Sequence, residues 1–441
     1  MSSIKIMKVY IETFGCQMNE YDSERILYYL GEKGYRKTMD MDESDIIVIN
    51  TCAVREKAEN RLFGHLGSLK SRLKGQSSKM VCVGGCTAQS LAGKIQEKFP
   101  FVDIVFGTHN ISRLPELIDE RSREGRIICS VADEGFDYAL DETKRLDPYR
   151  ALIPVSIGCN NFCTYCIVPH VRGREISIDP IAIINTIKAL VSDGVLQVTL
   201  LGQNVNSYGK DLDEGIDFSY LLQKISDIEG LKRIRFMTSH PKDISSSLIR
   251  IIGERENIMN HIHLPLQAGS DRILKKMNRK YNRDRFMKIV ENIYNNIKDC
   301  AISSDIIVGF PGEERKDFDD TLDIIRRARF DRVFTFIYSP RQGTSAARME
   351  DKIPASEKKK WFEELLELQN QVSFEKNSKY KGAKFKVLVE GFSPKNKALL
   401  QGRMENNTVV LFKGKKDIIG SIIDVKITET KSFYIRGNVS K

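Results

Sequence analysis

Short apolar runs alternate with helical stretches over residues 1–135, and this alternation predicts a parallel sheet with helices on both faces. The runs that predict strands are Lys5–Thr13, Asp45–Asn50, Met80–Gly84, Ile104–Phe106 and Ile127–Val131. Helices are predicted between them, for example over Ser23–Lys33 and over Ser90–Phe99, which ends at Pro100. Because parallel strands are joined by such crossover helices, residues 1–135 are expected to form a doubly wound α/β domain.

Six β-rich apolar runs alternate with five amphipathic stretches over residues 150–340. The predicted strands are Leu152–Ile157, Gln197–Leu201, Ile234–Thr238, His261–Leu266, Ile302–Val308 and Val333–Tyr338. Helices such as Pro180–Asp193 and Lys316–Ala328 separate them, and a helix over Ser356–Lys379 follows. Six βα units in series predict a partial (βα)6 barrel over residues 150–379, with the carboxyl ends of its strands as the functional face. The polar stretch of roughly Asp133–Pro148 carries six acidic residues and little periodicity, so residues 136–149 are predicted to link the two domains.

The last part of the chain, residues 380–441, has short strands separated by turn signals, which is typical of a small antiparallel β-barrel. The predicted strands are Lys384–Glu390, Ala398–Arg403, Thr408–Phe412, Ile422–Thr428 and Ser432–Ile435. Residues 378–441 contain 14 Lys and Arg against 5 Asp and Glu, so this segment carries +9 of the chain's net charge of +10. Such localisation favours a polyanionic partner such as RNA. The candidate phosphate contacts are Lys384, Lys386, Lys413, Lys415 and Lys416, although each could equally be a solvated surface charge.

Length and composition exclude several classes of protein. A chain of 441 residues is expected to form two or three domains, and its 41% hydrophobic content is that of a soluble globular protein. There is no run of eighteen apolar residues and no signal-peptide pattern at the start, so we expect a cytoplasmic protein without a membrane span. Nine cysteines in such a chain favour metal or redox chemistry over a disulfide framework.

Three cysteines, Cys159, Cys163 and Cys166, directly follow the first predicted barrel strand. Three thiolates on one loop can bind three irons of a cubane cluster, which leaves the fourth iron open for a cofactor or substrate. The alternative is a zinc site, for which His170 is within reach as a further ligand. The position at the functional face of a βα barrel favours the cluster.

Three further cysteines, Cys16, Cys52 and Cys86, each stand where a predicted strand of the first domain ends. The carboxyl ends of parallel strands line a common crevice, so these thiols are expected to converge and to hold a second cluster. The alternative is three separate buried thiols. The remaining cysteines, Cys82, Cys129 and Cys300, lie in or beside apolar strands and are predicted to be small buried hydrophobic residues.

Polar residues also gather at the predicted strand ends of the barrel. They are Gln203, Asn204, Ser239, His240, Gln267, Ser304 and Asp305. Such side chains could bind a cofactor, although polar residues at strand ends are as often caps or turn formers. Arg172 and Arg174 are candidates to contact the cofactor or RNA; the alternative is an ion pair with Glu175 or with a linker acid.

The cysteines lie in segments that resemble a known family. The segments are TFGCQMNE (13–20), NTCAVR (50–55), GCTAQ (85–89), CNNFCTYC (159–166), VPHVRGRE (168–175), LGQNVN (201–206), LPLQAGS (264–270) and DIIVGFPGE (305–313). In this order they resemble the methylthiotransferases of the radical S-adenosylmethionine superfamily, and the basic end resembles the TRAM RNA-binding domain. The likeness covers essentially the whole chain. One departure is His170-Val171, where the family usually has Tyr-Thr.

The resemblance implies two 4Fe–4S clusters and S-adenosylmethionine, bound at the first cluster and flanked by Tyr165. Within the family, the amino-acid sequence of these segments most resembles the branch that methylthiolates C2 of N6-isopentenyladenosine next to the anticodon. That activity implies two molecules of S-adenosylmethionine, sulfur from the second cluster, and no catalytic side chains beyond the cluster ligands. The implied partners are the anticodon stem-loop of tRNA, an electron donor such as flavodoxin or ferredoxin, and a sulfur supplier.

Two kinds of alternative remain open on the sequence alone. A sister methylthiotransferase could act on threonylcarbamoyladenosine in tRNA or on a ribosomal-protein aspartate, with the same chemistry and a different pocket. A non-catalytic RNA-binding metalloprotein would explain the basic end and some cysteines. It would give no reason for a cluster with an open iron.

Overall fold

Three β-structures follow one another along the chain: a six-stranded sheet, two three-stranded sheets that form a partial barrel, and a closed five-stranded barrel. The computed structural model describes residues 6–53, 56–73, 79–131, 140 and 143–440, with the backbone alone at 56–59. Among the helices of these ranges, none combines the length and the apolar character needed to cross a membrane.

The first sheet is parallel throughout, in the order β2-β1-β3-β4-β5-β6. Its elements are β1 (Lys8–Phe14), α1 (Gln17–Glu32), β2 (Arg36–Lys37), β3 (Ile46–Thr51), α2 (Glu56–Arg72), β4 (Met80–Gly85), α3 (Cys86–Lys98), β5 (Ile104–Phe106), α4 (Leu114–Glu124) and β6 (Ile128–Ser130). The doubly wound sheet is confirmed. Each predicted strand overlaps an observed strand, and their ends differ by at most three residues. Helices α1 and α3 begin earlier than predicted, because the turns before them are short. Only two residues separate β1 from α1, and α3 follows β4 directly.

Both faces of this sheet are buried, which is why its strands have continuous apolar runs. In β3, Ile46 and Val48 pack with α1 and α4, whereas Ile47 and Ile49 pack with α2 and α3. The two-faced core confirms the predicted α/β class for this part of the chain.

Two of the three cysteines predicted to be buried behave as expected. Cys82 lies in the core of the sheet and Cys300 is 6% exposed. The prediction for Cys129 is wrong, because its side chain is exposed. Cys129 lies in β6, the edge strand of the sheet, and side chains of a strand alternate between its two faces.

The second part contains six parallel strands in two sheets, β7-β10-β11 and β12-β13-β14. Its elements are β7 (Arg150–Pro154), β8 (Ser156–Ile157), α5 (Val168–Arg172), β9 (Ile176–Ser177), α6 (Pro180–Ser192), β10 (Gln197–Leu201), α7 (Phe218–Ser226), β11 (Arg233–Phe236), α8 (Ser246–Glu254), β12 (His261–His263), α9 (Asp271–Lys276), α10 (Arg283–Asn296), β13 (Ala301–Val308), α11 (Arg315–Ala328) and β14 (Arg332–Ile337). Just beyond β11, Ser239 N donates to His263 O at 3.0 Å and joins the two sheets. One apolar core spans both, as expected of a partial barrel.

A long helix and a small closed barrel complete the chain. They are α12 (Ala355–Ser378), β15 (Lys384–Phe392), β16 (Leu400–Arg403), β17 (Val409–Phe412), β18 (Ile422–Thr430) and β19 (Ile435–Val439). The closed barrel is confirmed, but its β17–β19 pair is parallel and not antiparallel as predicted. The last strand also begins later than predicted. Because β18 extends to Thr430, the following residues form a turn in which Lys431 N donates to Tyr434 O at 3.0 Å.

The predicted linker 136–149 is only partly described, since residues 136–139, 141 and 142 lie outside the described ranges. Its last part is fixed to the first domain. Leu146 N donates to Glu24 Oε1 at 2.9 Å, and Lys144 N donates to Glu24 O at 3.2 Å.

The small barrel is attached to the strand starts of the larger one through Glu390 of β15. Its carboxylate pairs with Arg150 at 2.7 Å and with Arg403 at 3.1 Å, and its side chain is 9% exposed. Beside it, Arg233 donates to the backbone oxygens of Lys386 and Arg403 at 3.1 and 2.8 Å. Glu390 is therefore the buried carboxylate shared by two arginines at this junction, and Arg150 is paired with Asp147 as well.

We expect Glu390→Gln to loosen this junction by about 1.5–3 kcal/mol, the usual value of hydrogen bonds to charged groups. The small barrel should then be cut off faster in limited proteolysis, and the melting temperature should fall. The matched control is Glu429→Gln, which removes an exposed carboxylate in the same barrel and should change little. Equal effects of the two changes would contradict this account of the junction.

Candidate active site

The structure brings Cys16, Cys52 and Cys86 to one edge of the first sheet. Cys16 caps α1 just after β1, Cys52 follows β3, and Cys86 begins α3 directly after β4. These three strands are neighbours in the sheet. The pKa of Cys16 is lowered to about 6, first by a hydrogen bond with Cys52 and further by the nearby charge of Arg172.

Two buried asparagines hold this edge together. Asn19 Nδ2 donates to Thr51 O at 3.2 Å, and Asn50 Nδ2 donates to Asn19 O at 2.8 Å, so the first turn of α1 is tied to the end of β3. Asn19 Oδ1 also accepts from Cys16 N at 3.3 Å. Neither asparagine was identified from the sequence as a site residue. The available signal was that each stands within three residues of a cysteine in the segments compared above.

The turn at Gly85 explains how Cys86 comes so close to the neighbouring strand. Gly85 has φ +91, and a Cβ there would lie 2.4 Å from Thr51 O. Another residue would be strained in this conformation and would collide with that backbone oxygen. The glycine therefore permits close approach of two strand ends.

The barrel triplet, Cys159, Cys163 and Cys166, lies on the loop between β8 and α5. Backbone bonds hold the loop: Cys159 N donates to Gly173 O at 3.1 Å, and Cys166 N donates to Cys163 O at 2.9 Å. Cys159 is 8% exposed, whereas Cys163 and Cys166 are half-buried. Burial raises the pKa of Cys166 to about 12. Metal binding must therefore displace its proton.

A buried arginine, Arg279, supports this loop from the segment that follows α9. Its Nη1 lies 3.4 Å from Cys163 Sγ, its Nη2 donates to Pro265 O at 3.0 Å, and its Nε donates to Tyr281 Oη at 2.8 Å. Arg279 was not predictable as a site residue, because it is far from the cysteines along the chain.

A second buried arginine, Arg172, links the helix after the barrel triplet to Cys86 of the first sheet. It ends α5, six residues after Cys166, and is 4% exposed. Its Nη2 donates to Asp22 Oδ2 of α1 at 2.6 Å, and its Nε donates to Cys86 Sγ at 3.2 Å. Around this contact, Ala53 and Cys86 of the first domain pack against Ile167 and Val171. Both triplets therefore lie at the same interface.

This burial changes the role expected for Arg172. A contact with RNA would require the guanidinium to leave Asp22 and Cys86, so the structure favours the ion pair over an RNA contact. The ion pair anticipated as the alternative exists, but its partner is Asp22 and not Glu175 or a linker acid. Arg174 is different: its guanidinium lies over the exposed ring of Phe162, 4.5 Å from the centroid.

The polar residues at the ends of the second and third barrel strands contact one another. His240 N donates to Asn204 Oδ1 at 2.9 Å, and Asn204 Nδ2 lies 3.2 Å from Asp243 Oδ2. Burial lowers the pKa of His240 to about 2, so its imidazole is neutral. Ser239 Oγ is buried and has no hydrogen-bond partner among the described residues. Gln203 is half-buried beside them.

The ends of the fourth and fifth strands are tied in the same way. Ser304 Oγ donates to Leu264 O and accepts from Leu266 N, both at 2.9 Å, so this hydroxyl is used in strand pairing. Gln267 N donates to Asp305 O at 2.8 Å, and Gln267 has φ +70, a strained conformation for a residue other than glycine. Tyr165 packs against the barrel core.

The donor sets fit clusters better than a single metal ion. Among the residues that the structure describes, no three His, Cys, Asp or Glu side chains are placed to hold one ion, and His170 is exposed. Ligands of a cubane bind separate irons, so they need not converge on one point. Each triplet offers three sulfurs, and at least one sulfur of each has an N–H donor beside it. The buried hydroxyl of Ser239 lies at the end of a barrel strand without a partner among the described residues, so it can bond to a polar cofactor there.

Three family models match successive parts of the chain. Residues 8–107 match the Uncharacterized protein family UPF0004, residues 153–325 match the Radical SAM superfamily, and residues 378–439 match the TRAM domain. The fold and the two triplets therefore define a radical S-adenosylmethionine enzyme of the methylthiotransferase class. Such enzymes use 4Fe–4S clusters and S-adenosylmethionine.

Relatives identify the family within this class. The chain is 46% identical over 99% of its length to the tRNA-2-methylthio-N(6)-dimethylallyladenosine synthase of Thermoanaerobacter pseudethanolicus, 93% of which is covered. It is 47% identical over 97% of its length to the enzyme of the same name from Clostridium tetani, 95% of which is covered. The chain belongs to the tRNA-2-methylthio-N(6)-dimethylallyladenosine synthase family.

Solved structures share the fold at low identity. The radical S-adenosylmethionine methyltransferase TsrM from Kitasatospora setae is 12% identical, with a TM-score of 0.55, 77% of this chain and 75% of that chain covered. The cobalamin-dependent radical enzyme OxsB is also 12% identical, with a TM-score of 0.54, 83% of this chain and 56% of that chain covered. At this identity the likeness shows the fold alone and carries no cofactor over to this chain.

The pKa of Cys16 makes a prediction for the iron-free chain. Alkylation of Cys16 under reducing, anaerobic conditions should follow the thiolate fraction, with half of the maximal rate near pH 6. Cys82 is the control, since burial raises its pKa and it should remain unlabelled in the folded chain. Mass spectrometry of the labelled peptides gives both rates. A half-maximum for Cys16 near the ordinary thiol value of about 8.5 would contradict the arrangement.

Proposed function

We propose that this protein methylthiolates C2 of N6-isopentenyl(dimethylallyl)adenosine next to the anticodon of tRNA. The observation that carries the proposal is the meeting of the two triplets at one interface, with Arg172 of the barrel bonded to Cys86 of the first sheet. A carbon that offers no acidic proton needs radical chemistry, and an inserted sulfur must come from a group held within reach of that carbon. An interface with two clusters provides both.

The proposed assignment gives each triplet one role. Cys159, Cys163 and Cys166 hold the cluster to which S-adenosylmethionine binds, and Cys16, Cys52 and Cys86 hold the cluster that carries sulfur. When bound, these groups supply a carbon-centred radical, a methyl group and the sulfur atom. The division of the chain follows: 1–135 for the sulfur-carrying domain, 136–149 for the linker, 150–379 for the radical domain and 380–441 for the TRAM domain.

The chain's own side chains position and shield the reactants. Tyr165 flanks the cofactor, while Gln203, Ser239, His240 and Gln267 offer polar groups at the strand ends around it. His240 Nδ1 already accepts from Lys242 N at 3.1 Å, so the neutral ring is protonated at Nε2 and can donate a hydrogen bond without adding charge. We give Asn204, Ser304 and Asp305 a lesser part, since Asn204 and Ser304 are already used in the hydrogen bonds that tie the strand ends and Asp305 lies 3.3 Å from the ring of His263.

A tRNA loop suits an interface of this kind, because unstacked bases can be turned out of a single strand at low cost. The ring of Phe162 with the guanidinium of Arg174 offers a surface on which a neighbouring base can stack. The exposed lysines of the TRAM barrel would bind phosphates of the stem. They are Lys384, Lys386, Lys413, Lys415 and Lys416.

The reaction also needs partners that the chain itself does not provide. One is a one-electron donor of the flavodoxin or ferredoxin class, and another is a supplier of sulfur to the second cluster. We place the reaction in the cytoplasm, where tRNA and these donors occur together.

The decisive experiment compares three tRNA substrates with the reconstituted protein, reductant, S-adenosylmethionine and sulfide under anaerobic conditions. The substrates carry isopentenyladenosine, threonylcarbamoyladenosine or unmodified adenosine at the same position, and nucleosides are analysed by mass spectrometry. We expect a methylthio mass gain on the isopentenyl nucleoside alone. A gain on the threonylcarbamoyl nucleoside alone would overturn the substrate. If neither changed while 5′-deoxyadenosine accumulated, a protein substrate such as a ribosomal-protein aspartate would replace tRNA.

Single cysteine changes should separate the two proposed clusters. Cys163→Ala should abolish both 5′-deoxyadenosine and the methylthio product, because the first cluster is lost. Cys16→Ala should abolish the methylthio product yet leave 5′-deoxyadenosine formation, since only the second cluster is affected. Cys300→Ala is the control for removal of a buried thiol outside both sites. Loss of 5′-deoxyadenosine in the Cys16 variant would contradict the division of roles.

The lysines of the TRAM barrel should act through counterion release. Replacing Lys413, Lys415 and Lys416 by Gln should weaken binding of the stem-loop, and the salt slope should fall by about 0.7–0.9 per lysine that contacts a phosphate. Fluorescence anisotropy at several salt concentrations measures both. Lys352→Gln and Lys359→Gln provide controls, since both lysines are exposed outside this barrel. An unchanged slope in the triple variant would remove these lysines from the RNA interface.

A further inference from the structure

The two triplets share a feature that their cysteines do not explain. Each has one buried arginine with an N–H group directed at one cysteine sulfur: Arg172 at Cys86, with an Nε–Sγ distance of 3.2 Å, and Arg279 at Cys163, with an Nη1–Sγ distance of 3.4 Å. Both arginines are less than a tenth exposed. Arg172 comes from the domain opposite its cysteine, and Arg279 is distant from its cysteine along the chain.

The two arginines differ in how their charge is compensated. Arg172 is paired with Asp22 at 2.6 Å, and both side chains of this pair are buried. Arg279 is anchored by neutral groups, Pro265 O and Tyr281 Oη, and within the described ranges no carboxylate forms an ion pair with it. The first cluster would therefore lie beside an uncompensated positive charge, and the second beside a neutralised one.

We propose that Arg172 and Arg279 are positioning residues that set the reduction potentials of the two clusters separately. Reduction adds negative charge to a cluster, and an N–H donor or a cation at a cysteine sulfur stabilises that charge and raises the potential. Arg279 thus favours reduction of the cluster at Cys163. Asp22 offsets Arg172, so the cluster at Cys86 is harder to reduce and electrons are directed to the first cluster.

This inference rests on the proposed function only in requiring a cluster at each triplet; it does not depend on the RNA substrate. The test is a redox titration of the full-length reconstituted protein, followed by electron paramagnetic resonance with iron and sulfide counts. Signals are assigned with a variant in which Cys159, Cys163 and Cys166 are alanine. The variants are Arg172→Gln, Arg172→Lys, Asp22→Asn and Arg279→Gln.

We expect opposite shifts from the two partners of the buried pair. Arg172→Gln should make the potential of the second cluster more negative, and Asp22→Asn should make it more positive, while the first cluster stays unchanged. Arg279→Gln should make only the first cluster's potential more negative. General damage to the fold would not shift one cluster in opposite directions. If Arg172→Gln fails to load the second cluster, Asp22→Asn and Arg172→Lys decide the test. Asp22→Asn should make the potential of the second cluster more positive than in the unchanged protein, whereas Arg172→Lys should make it more negative.

Three results would overturn the inference. They are shifts of the same sign for Arg172→Gln and Asp22→Asn, equal shifts of both clusters in any one variant, or unchanged potentials in fully loaded variants. Absence of any cluster at Cys16, Cys52 and Cys86 in the unchanged protein would instead contradict the proposed function. The two failures are therefore distinguishable.

Discussion

The arrangement of the site depends on the burial of one charge, the guanidinium of Arg172. A buried cation is costly unless it is paired and hydrogen-bonded, and Arg172 finds both partners, Asp22 and Cys86, in the other domain. The barrel loop and the first sheet are thus fixed against each other at the point where the two triplets lie. A shift of one domain relative to the other would leave this charge unpaired, so the interface has one favoured arrangement.

Both domains build their cysteine sites directly beyond the ends of strands: β1, β3 and β4 in the first sheet, and β8 in the barrel. In the first sheet three neighbouring strands each contribute one thiol, and the buried pair Asn19 and Asn50 ties the ends together. In the barrel a single loop contributes all three thiols, and Arg279 supports that loop through its contact with Cys163 Sγ. The dispersed site depends on the sheet being intact, whereas the contiguous site depends on the loop being held. This difference explains why the two sites have different supporting residues.

The parts of this design that depend on local pattern were predictable from the sequence. Strands and helices follow apolar periodicity, and the positions of Cys16, Cys52 and Cys86 after strands already implied their convergence. Contacts between distant segments were not predictable. Asp22 and Arg172 are separated by 150 residues, and their contact depends on how two domains dock. The exposure of Cys129 likewise depends on β6 being an edge strand, which apolar character alone does not reveal.

The attachment of the small barrel constrains how an RNA can be recognised. Glu390 and its neighbours contact Arg150 and Arg233, which are the first residues of β7 and β11. The cysteine loop follows the opposite end of β7, so the strand of 5 residues separates the two by about 17 Å. We therefore propose that the small barrel holds the stem of an RNA hairpin, away from the base that reacts. On this proposal, discrimination between modified adenosines falls to the interface between the first sheet and the larger barrel, where the two triplets meet.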